Sequence, residues 1–77
     1  MNIDNRDCQL AFGNFIKEGR EKKSIFQQDI ADRLGISQPY YSAIERGERN
    51  VDLILAMRIC KELGLNMNKF LRQYMSK

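Results

Sequence analysis

The sequence contains no histidine and no tryptophan, and among its 77 residues there are one proline and two cysteines. Without histidine, the usual zinc sites and histidine-based catalysis lack their ligand and their base. The cysteines, Cys8 and Cys60, lie far apart in the chain and form no C-x-x-C motif. No G-x-S-x-G motif and no phosphate-binding loop is present. We therefore expect neither an enzyme nor a bound cofactor or metal.

Long apolar runs are missing as well, since no stretch approaches the ~20 residues that a membrane-spanning helix needs. The first residues are polar and do not form a signal peptide. We therefore expect a cytoplasmic protein that has no membrane partner. Because the cytoplasm is reducing, Cys8 and Cys60 are expected to be small buried hydrophobic residues, although a disulfide between them is conceivable.

The composition that remains is typical of a small folded domain, with 43% apolar and 30% charged residues. A chain of this length suffices for one domain, which we expect to span residues 1–77 with its core at about residues 8–75. Thirteen Lys and Arg against ten Asp and Glu give a net charge of +3. This mild excess permits a polyanionic partner without requiring one.

Apolar residues recur with the helical period, and no alternating run of Val, Ile and Thr predicts a strand. The sequence therefore predicts an all-α fold of five helices separated by glycines and short polar residues. The expected helices run from about Asp7 (as N-cap) or Cys8 to Lys22, from Phe26 to Leu34, from the N-cap Ser37 to Gly47, from the N-cap Asp52 to Leu63, and from the N-cap Asn66 through Met67 to about Met75.

Residues 27–46 meet the steric requirements of a helix-turn-helix at fixed offsets. Two helices that cross steeply need a small residue where they approach, here Ala31, and a glycine in the turn, here Gly35. An arbitrary corner between two helices would use the same glycine, but it would not require the clamping apolar positions to agree as well. Those positions are Ile30, Leu34, Ile36, Tyr41 and Ile44.

The stretch from Phe12 to Leu71 resembles the Cro/phage-repressor (XRE-type) helix-turn-helix family, and in particular its short members, the Cro-like regulators and restriction-modification controller proteins. The matching motifs are G-x-x-I-x-x-x-R at residues 13–20, Q-x-x-I-A-x-x-L-G-I-S at 27–37, I-E-R-G-x-R-N at 44–50 and L-G-L-N at 63–66. The resemblance implies a compact five-helix lambda-repressor-like domain, encoded by a bacterium or phage, whose helix-turn-helix comprises helices 2 and 3.

The resemblance also implies that helix 3 lies in the DNA major groove with its N-terminal part facing the bases. Gln38 is the strongest candidate for base recognition, because an amide can form two hydrogen bonds with adenine. Pro39 and Ala43 offer only apolar contact, for example with a thymine methyl group. The full set of predicted base-reading residues is Ser37, Gln38, Pro39, Ser42 and Ala43.

A second set of residues matches family positions that hold the DNA backbone. Gln27 has a second candidate role, because Ser24-Ile25-Phe26-Gln27 also matches a capping box, in which Gln27 turns back to Ser24. The arginines could equally be solvated charges, and Tyr40 a surface aromatic. The predicted backbone contacts are Gln27, Tyr40, Arg46, Arg49 and Asn50.

Two further sets have structural roles in the family. Arg20 and Glu45 match a salt bridge between helices 1 and 3. Helix 4 carries more apolar residues than its inward positions Leu53, Ala56, Ile59, Cys60 and Leu63 require, and such surplus residues usually mark an interface. Helix 5 either joins this interface or closes the monomer core. We predict a homodimer through Ile54, Leu55, Phe70, Tyr74 and Met75.

Together these expectations describe a regulator that binds double-stranded DNA at a pseudo-palindromic operator as a homodimer, with RNA polymerase as a candidate further partner. The alternative is a helix-turn-helix used as a protein adaptor or antitoxin-like module, whose basic residues merely solvate the surface. The basic residues around helix 3 favour DNA, whereas Asp32 and Glu48 weaken that argument. These basic residues are Lys23, Arg33, Arg46 and Arg49.

Overall fold

The computed structural model describes residues 5–75, in which five helices and no strand are present. The all-α prediction with five helices is therefore confirmed. None of the helices in this range is both long and apolar enough to cross a membrane. The helices are α1 (Asn5–Lys22), α2 (Gln27–Leu34), α3 (Gln38–Glu45), α4 (Leu53–Leu63) and α5 (Met67–Met75).

Short polar side chains begin three of the helices as predicted. The hydroxyl of Ser37 accepts a hydrogen bond from the Tyr40 amide at 3.2 Å, and the carboxylate of Asp52 accepts one from the Leu55 amide at 2.7 Å. The Asn66 side chain accepts from the Asn68 amide at 2.8 Å. Each bond satisfies a backbone N–H that the first helical turn leaves unpaired.

The first two helices begin differently from the prediction. Helix α1 starts at Asn5, so Asp7 lies inside its first turn rather than at the N-cap. There its negative charge favours the positive end of the helix dipole. Helix α2 starts at Gln27, and its N-cap is Phe26, whose side chain forms no capping hydrogen bond.

The core is formed by one side of every helix. Helix α1 lies against α3, α4 and α5, and the Phe12 and Phe70 rings meet edge to face with their centroids 5.4 Å apart. Helix α5 thus closes the core. The buried core residues are Phe12, Ile16, Ile30, Ala31, Leu34, Tyr41, Ile44, Ala56, Ile59, Cys60, Leu63 and Phe70.

Two expectations about buried positions were wrong. Leu53, expected inside, is 69% exposed, because it is the first residue of α4 and projects beyond the core. Cys8 is only half-buried, whereas Cys60 is buried as expected. Both thiols are free, so no disulfide joins them. Burial raises the pKa of the Cys60 thiol, which keeps it protonated and unreactive.

Two contacts outside the apolar core position the helix-turn-helix. On α1, Gly13 lies directly against the backbone at the end of α3, and a Cβ there would stand 2.7 Å from the Ile44 carbonyl oxygen. From α4, the guanidinium of Arg58 donates a 2.9 Å hydrogen bond to the carbonyl oxygen of Leu34 at the end of α2. Both helices of the motif are therefore attached to the rest of the fold at their C-terminal ends.

Candidate nucleic-acid interface

The start of α3 carries most of the predicted base-reading residues at the surface. Ser37 and Pro39 are exposed, and Gln38 and Ser42 are half-buried. Ala43 differs, because only 8% of its surface is exposed. A methyl group this buried has almost no surface available to contact a thymine. The burial of Ala43 therefore disfavours the base contact predicted for it.

A chain of hydrogen bonds connects the start of α3 to the interior. The amide nitrogen of Gln38 donates to the side-chain oxygen of Gln27 at 2.7 Å. The amide nitrogen of Gln27 donates in turn to Oε1 of Glu45 at 2.9 Å. Glu45 also accepts two bonds from Arg20, from Nε at 2.6 Å and from Nη2 at 3.1 Å. The half-buried Gln38 is thus linked through three side chains to helix α1.

The direction of every bond in this chain follows from the charge of Glu45. An ionised carboxylate can only accept hydrogen bonds, so the amide nitrogen of Gln27 must face it. The Gln27 oxygen then faces Gln38 and takes one of the two N–H groups of that amide. Gln38 keeps its second N–H and its carbonyl oxygen for another partner.

The capping box that was the alternative role for Ser24 and Gln27 is absent. Ser24 has a left-handed backbone with φ of 56°, and the N-cap of α2 is Phe26 instead. The Gln27 amide bonds to Glu45 rather than to the Ser24 backbone. A hydrogen bond to a buried carboxylate is stronger than one to an exposed amide, so the distant partner prevails over the local one.

The predicted ion pair between Arg20 and Glu45 is present and nearly inaccessible, with 11% and 2% of the two side chains exposed. A third Arg20 bond, from Nη1 to the carbonyl oxygen of Ile25 at 2.7 Å, secures the segment before α2. Burial acts to raise the pKa of Glu45, but hydrogen bonds from Arg20 and Gln27 outweigh it and hold this pKa below its ordinary value. The hydrogen bond to Glu45 raises the pKa of Arg20.

The lowered pKa of Glu45 predicts a loss of stability in acid. The carboxylate stabilises the fold above its ordinary pKa of 4.5, and this contribution disappears as the pH falls through the lower pKa of the folded chain. We expect the Tm, followed by circular dichroism, to fall as the pH is lowered below about 4.5. Glu45→Gln, which cannot titrate, should show a distinctly smaller fall, and equal falls would assign the acid sensitivity to other carboxylates.

Next to this pair lies the side chain of Tyr41, which is buried as the sequence predicts. The hydroxyl of Tyr41 is buried beside the Glu45 carboxylate, but no hydrogen bond of good geometry joins the two groups. Burial, and then the neighbouring negative charge of Glu45, raise the pKa of this phenol far above its ordinary value. Tyr41 therefore stays neutral, and its ring serves as a core residue.

The end of α3 and the following loop are basic and exposed. The Arg46 guanidinium donates to the Ser42 hydroxyl at 2.6 Å and to a Glu48 carboxylate oxygen at 3.1 Å. The guanidinium carbon of Arg49 lies 6.0 Å from the centre of the Tyr40 ring, at the outer limit of a cation–π contact. Asn50 is exposed beside them.

The predicted dimer residues divide between surface and core. Ile54 is 67% exposed, and Leu55 and Tyr74 are half-buried. Phe70 was misplaced by the prediction, because it is 6% exposed and packs against Phe12 and Phe15 within the monomer. The side chain of Met75 lies outside the described part of the structure.

The bond between Gln27 and Gln38, and the contact from Arg58 to α2, were not predicted from the sequence. The steep crossing of a helix-turn-helix brings the first residues of its two helices together. Two glutamines at those positions could therefore have indicated the bond between Gln27 and Gln38. No pattern in the sequence indicates the contact from Arg58 to α2, since Arg58 resembles any other charged residue on an exposed helix face.

Comparison with known proteins agrees with this geometry. A family model described as helix-turn-helix matches residues 16–70. Control protein C.MunI of Mycoplasma sp is 36% identical over 64 residues, which cover 82% of this chain and 86% of that protein. The uncharacterized HTH-type transcriptional regulator YqaE of Bacillus subtilis is 34% identical over 61 residues, which cover 79% of this chain and 53% of YqaE.

Two solved structures have the same fold. The restriction-modification controller protein C.AhdI from Aeromonas hydrophila matches with a TM-score of 0.75 and 26% identity, over 83% of this chain and 97% of that one. The clp gene regulator ClgR from Corynebacterium glutamicum matches with a TM-score of 0.78 and 25% identity, over 92% of this chain and 72% of that one. The chain therefore belongs to the XRE-type helix-turn-helix family of transcriptional regulators.

Proposed function

We propose that the chain is a sequence-specific regulator that binds a pseudo-palindromic operator in double-stranded DNA as a homodimer, with α3 in the major groove. The observation that carries this proposal is the Gln38 amide, held at the start of α3 by Gln27 with a donor and an acceptor left over. A bound regulator of this kind acts in the cytoplasm, by blocking or recruiting RNA polymerase.

The two groups that Gln38 keeps match the edge of adenine in the major groove. Its free N–H can donate to adenine N7, while its carbonyl oxygen accepts from the N6 amino group. The bond to Gln27 orients the amide before DNA arrives, which reduces the entropy lost on binding. Pro39 and Ser37 are exposed on either side of it, where an apolar ring and a hydroxyl can meet neighbouring bases or phosphates.

Backbone contacts are assigned to residues around this reading position. Arg49 and Asn50 are exposed in the loop after α3, and Tyr40 lies beneath Arg49. At the start of α2, where Gln27 stands, no side chain caps the helix. The first amides there and the positive end of the helix dipole suit a phosphate oxygen.

The dimer surface is assigned to α4 and α5. Leu53, Ile54 and Met57 are exposed on α4, and Leu55 and Tyr74 are half-buried. Large exposed apolar side chains grouped in this way usually mark an interface. A two-fold dimer sets its recognition helices one DNA turn apart, ~34 Å, which requires an operator with two related half-sites.

The proposal is tested by selecting bound sequences from a randomised double-stranded DNA pool at two salt concentrations. We expect recovery of a symmetric site whose half-sites lie about 10 bp apart, centre to centre, and contain adenine at one position. Recovery of unselective DNA only, with binding that disappears at the higher salt, would overturn the proposal and support the protein-adaptor alternative.

Two substitutions separate base recognition from backbone binding. Gln38→Ala should relax the preference at one operator position by about 1–3 kcal/mol, because it removes a two-point contact to a base. Arg49→Ala should weaken binding to all sequences and reduce the slope of log K against log salt by about 1. Fluorescence anisotropy with operator and scrambled duplexes measures both. Equal losses on the two duplexes for Gln38→Ala would contradict its assignment.

A further inference from the structure

An acidic residue stands among the basic residues that follow α3. Glu48 is flanked by Arg46, Gly47 and Arg49. Its amide donates a 2.9 Å hydrogen bond to the carbonyl oxygen of Ala43, which folds the loop back over the end of α3. The Glu48 carboxylate is thereby held next to the Arg46 guanidinium, with Oε1 3.1 Å from Nη2.

Arg46 is consequently occupied on two sides in the free protein. Its Nη1 donates to the Ser42 hydroxyl at 2.6 Å, and its Nη2 donates to Glu48. Both members of the ion pair are more than half exposed. Their hydrogen bond to each other raises the pKa of Arg46 and lowers that of Glu48, so both are charged at neutral pH.

A carboxylate binds a guanidinium through the same donors that a phosphate group uses. Phosphate oxygens beside Arg46 must therefore displace Glu48 from Nη2 or approach with its negative charge nearby. An exposed ion pair is weak, so phosphate can displace Glu48 at a small cost in free energy. That cost reduces the binding free energy gained from a phosphate contact at Arg46.

We propose that Glu48 is an internal competitor of DNA phosphate for Arg46, and that it limits the sequence-independent affinity of the protein for DNA. This inference rests on the proposed function. Glu48 acts on the electrostatic part of binding, which supplies nearly all of the affinity for DNA of arbitrary sequence. Base recognition by Gln38, at the other end of α3, does not involve it.

The test compares Glu48→Gln with Glu62→Gln, which makes the same change of charge at an exposed position on α4. Binding to a random-sequence duplex is measured by fluorescence anisotropy over a series of salt concentrations. Glu48→Gln should bind roughly twofold to fivefold more tightly and steepen the slope of log K against log salt by about 0.9, the value for one more phosphate contact. Glu62→Gln should change little.

A double-mutant cycle assigns the effect to Arg46. In an Arg46→Ala background, Glu48→Gln should give no gain, because the group for which carboxylate and phosphate compete is gone. Equal gains from Glu48→Gln and Glu62→Gln, or a gain that persists without Arg46, would overturn the inference. If the protein selects no operator from the randomised pool, the proposed function is wrong. The comparison of variants on random-sequence DNA would still test the role of Glu48. Failure of every variant to bind DNA would overturn both.

Discussion

Glu45→Ala is expected to destabilise the fold by about 3–5 kcal/mol. The substitution leaves the guanidinium of Arg20, a side chain of which 11% is exposed, without its carboxylate and removes the acceptor that holds Gln27. An unpaired charge in such a place costs more than the intact pair contributes. Because a small domain has about 5–15 kcal/mol of total stability, we expect much of the variant to be unfolded at physiological temperature.

Urea unfolding followed by circular dichroism measures this loss. The control is the double variant Arg20→Met/Glu45→Leu, in which no charge is left unpaired. It should be more stable than Glu45→Ala, since apolar residues of similar size can replace a buried ion pair at little cost. A double variant less stable than the single one would contradict this account, because the unpaired Arg20 charge would then not be the source of the loss.

Gly13→Ala is expected to destabilise the protein by about 2 kcal/mol or more, although alanine is the better helix former by about 1 kcal/mol. A Cβ at this position clashes with the carbonyl oxygen of Glu45 and lies 2.7 Å from that of Ile44. Both obstacles are backbone atoms, so relief requires α1 and α3 to move apart. The steric cost therefore exceeds the gain in helix propensity.

Gly19→Ala is the matched control on the same helix. A Cβ there meets only the side chain of Leu65, with the nearest atoms at 2.7 Å, and a leucine side chain can rotate away. We expect Gly19→Ala to lower the Tm clearly less than Gly13→Ala in thermal unfolding experiments. Equal losses would mean that the close approach of α1 to α3 is not what requires glycine at position 13.

The start of α3 and both ends of α4 were predictable from sequence because local chemistry determines them, whereas α3 ends at Glu45, two residues before the predicted Gly47. Ser37 and Asp52 each bond an amide three residues ahead, and Gly64 adopts the left-handed conformation that ends α4. These interactions depend on neighbours in the chain, so short motifs contain the needed information. The ion pair of Arg20 with Glu45 spans 25 residues and was predicted only through resemblance to a family.

What the sequence did not disclose depends on contacts between distant helices. The spacing of apolar residues on α5 fits either a dimer surface or a core. Phe70 belongs to the core of the monomer because it packs against the rings of Phe12 and Phe15 on α1. Gln27 had a plausible local partner in Ser24, yet the buried charge of Glu45 holds it instead. Burial of Ala43 is likewise a property of the assembled fold.

The bond between Gln38 and Gln27 also constrains how such a regulator can evolve. A substitution at position 38 that removes the amide leaves the Gln27 oxygen without its donor. A substitution at 27 removes the acceptor of the Gln38 amide and one of the two donors to Oε1 of Glu45. Under the proposed base recognition by Gln38, new operator sequences are therefore reached most easily by paired changes at the two positions. Lineages that diverge in operator preference should carry correlated residues there, while Arg20 and Glu45 stay fixed beneath them.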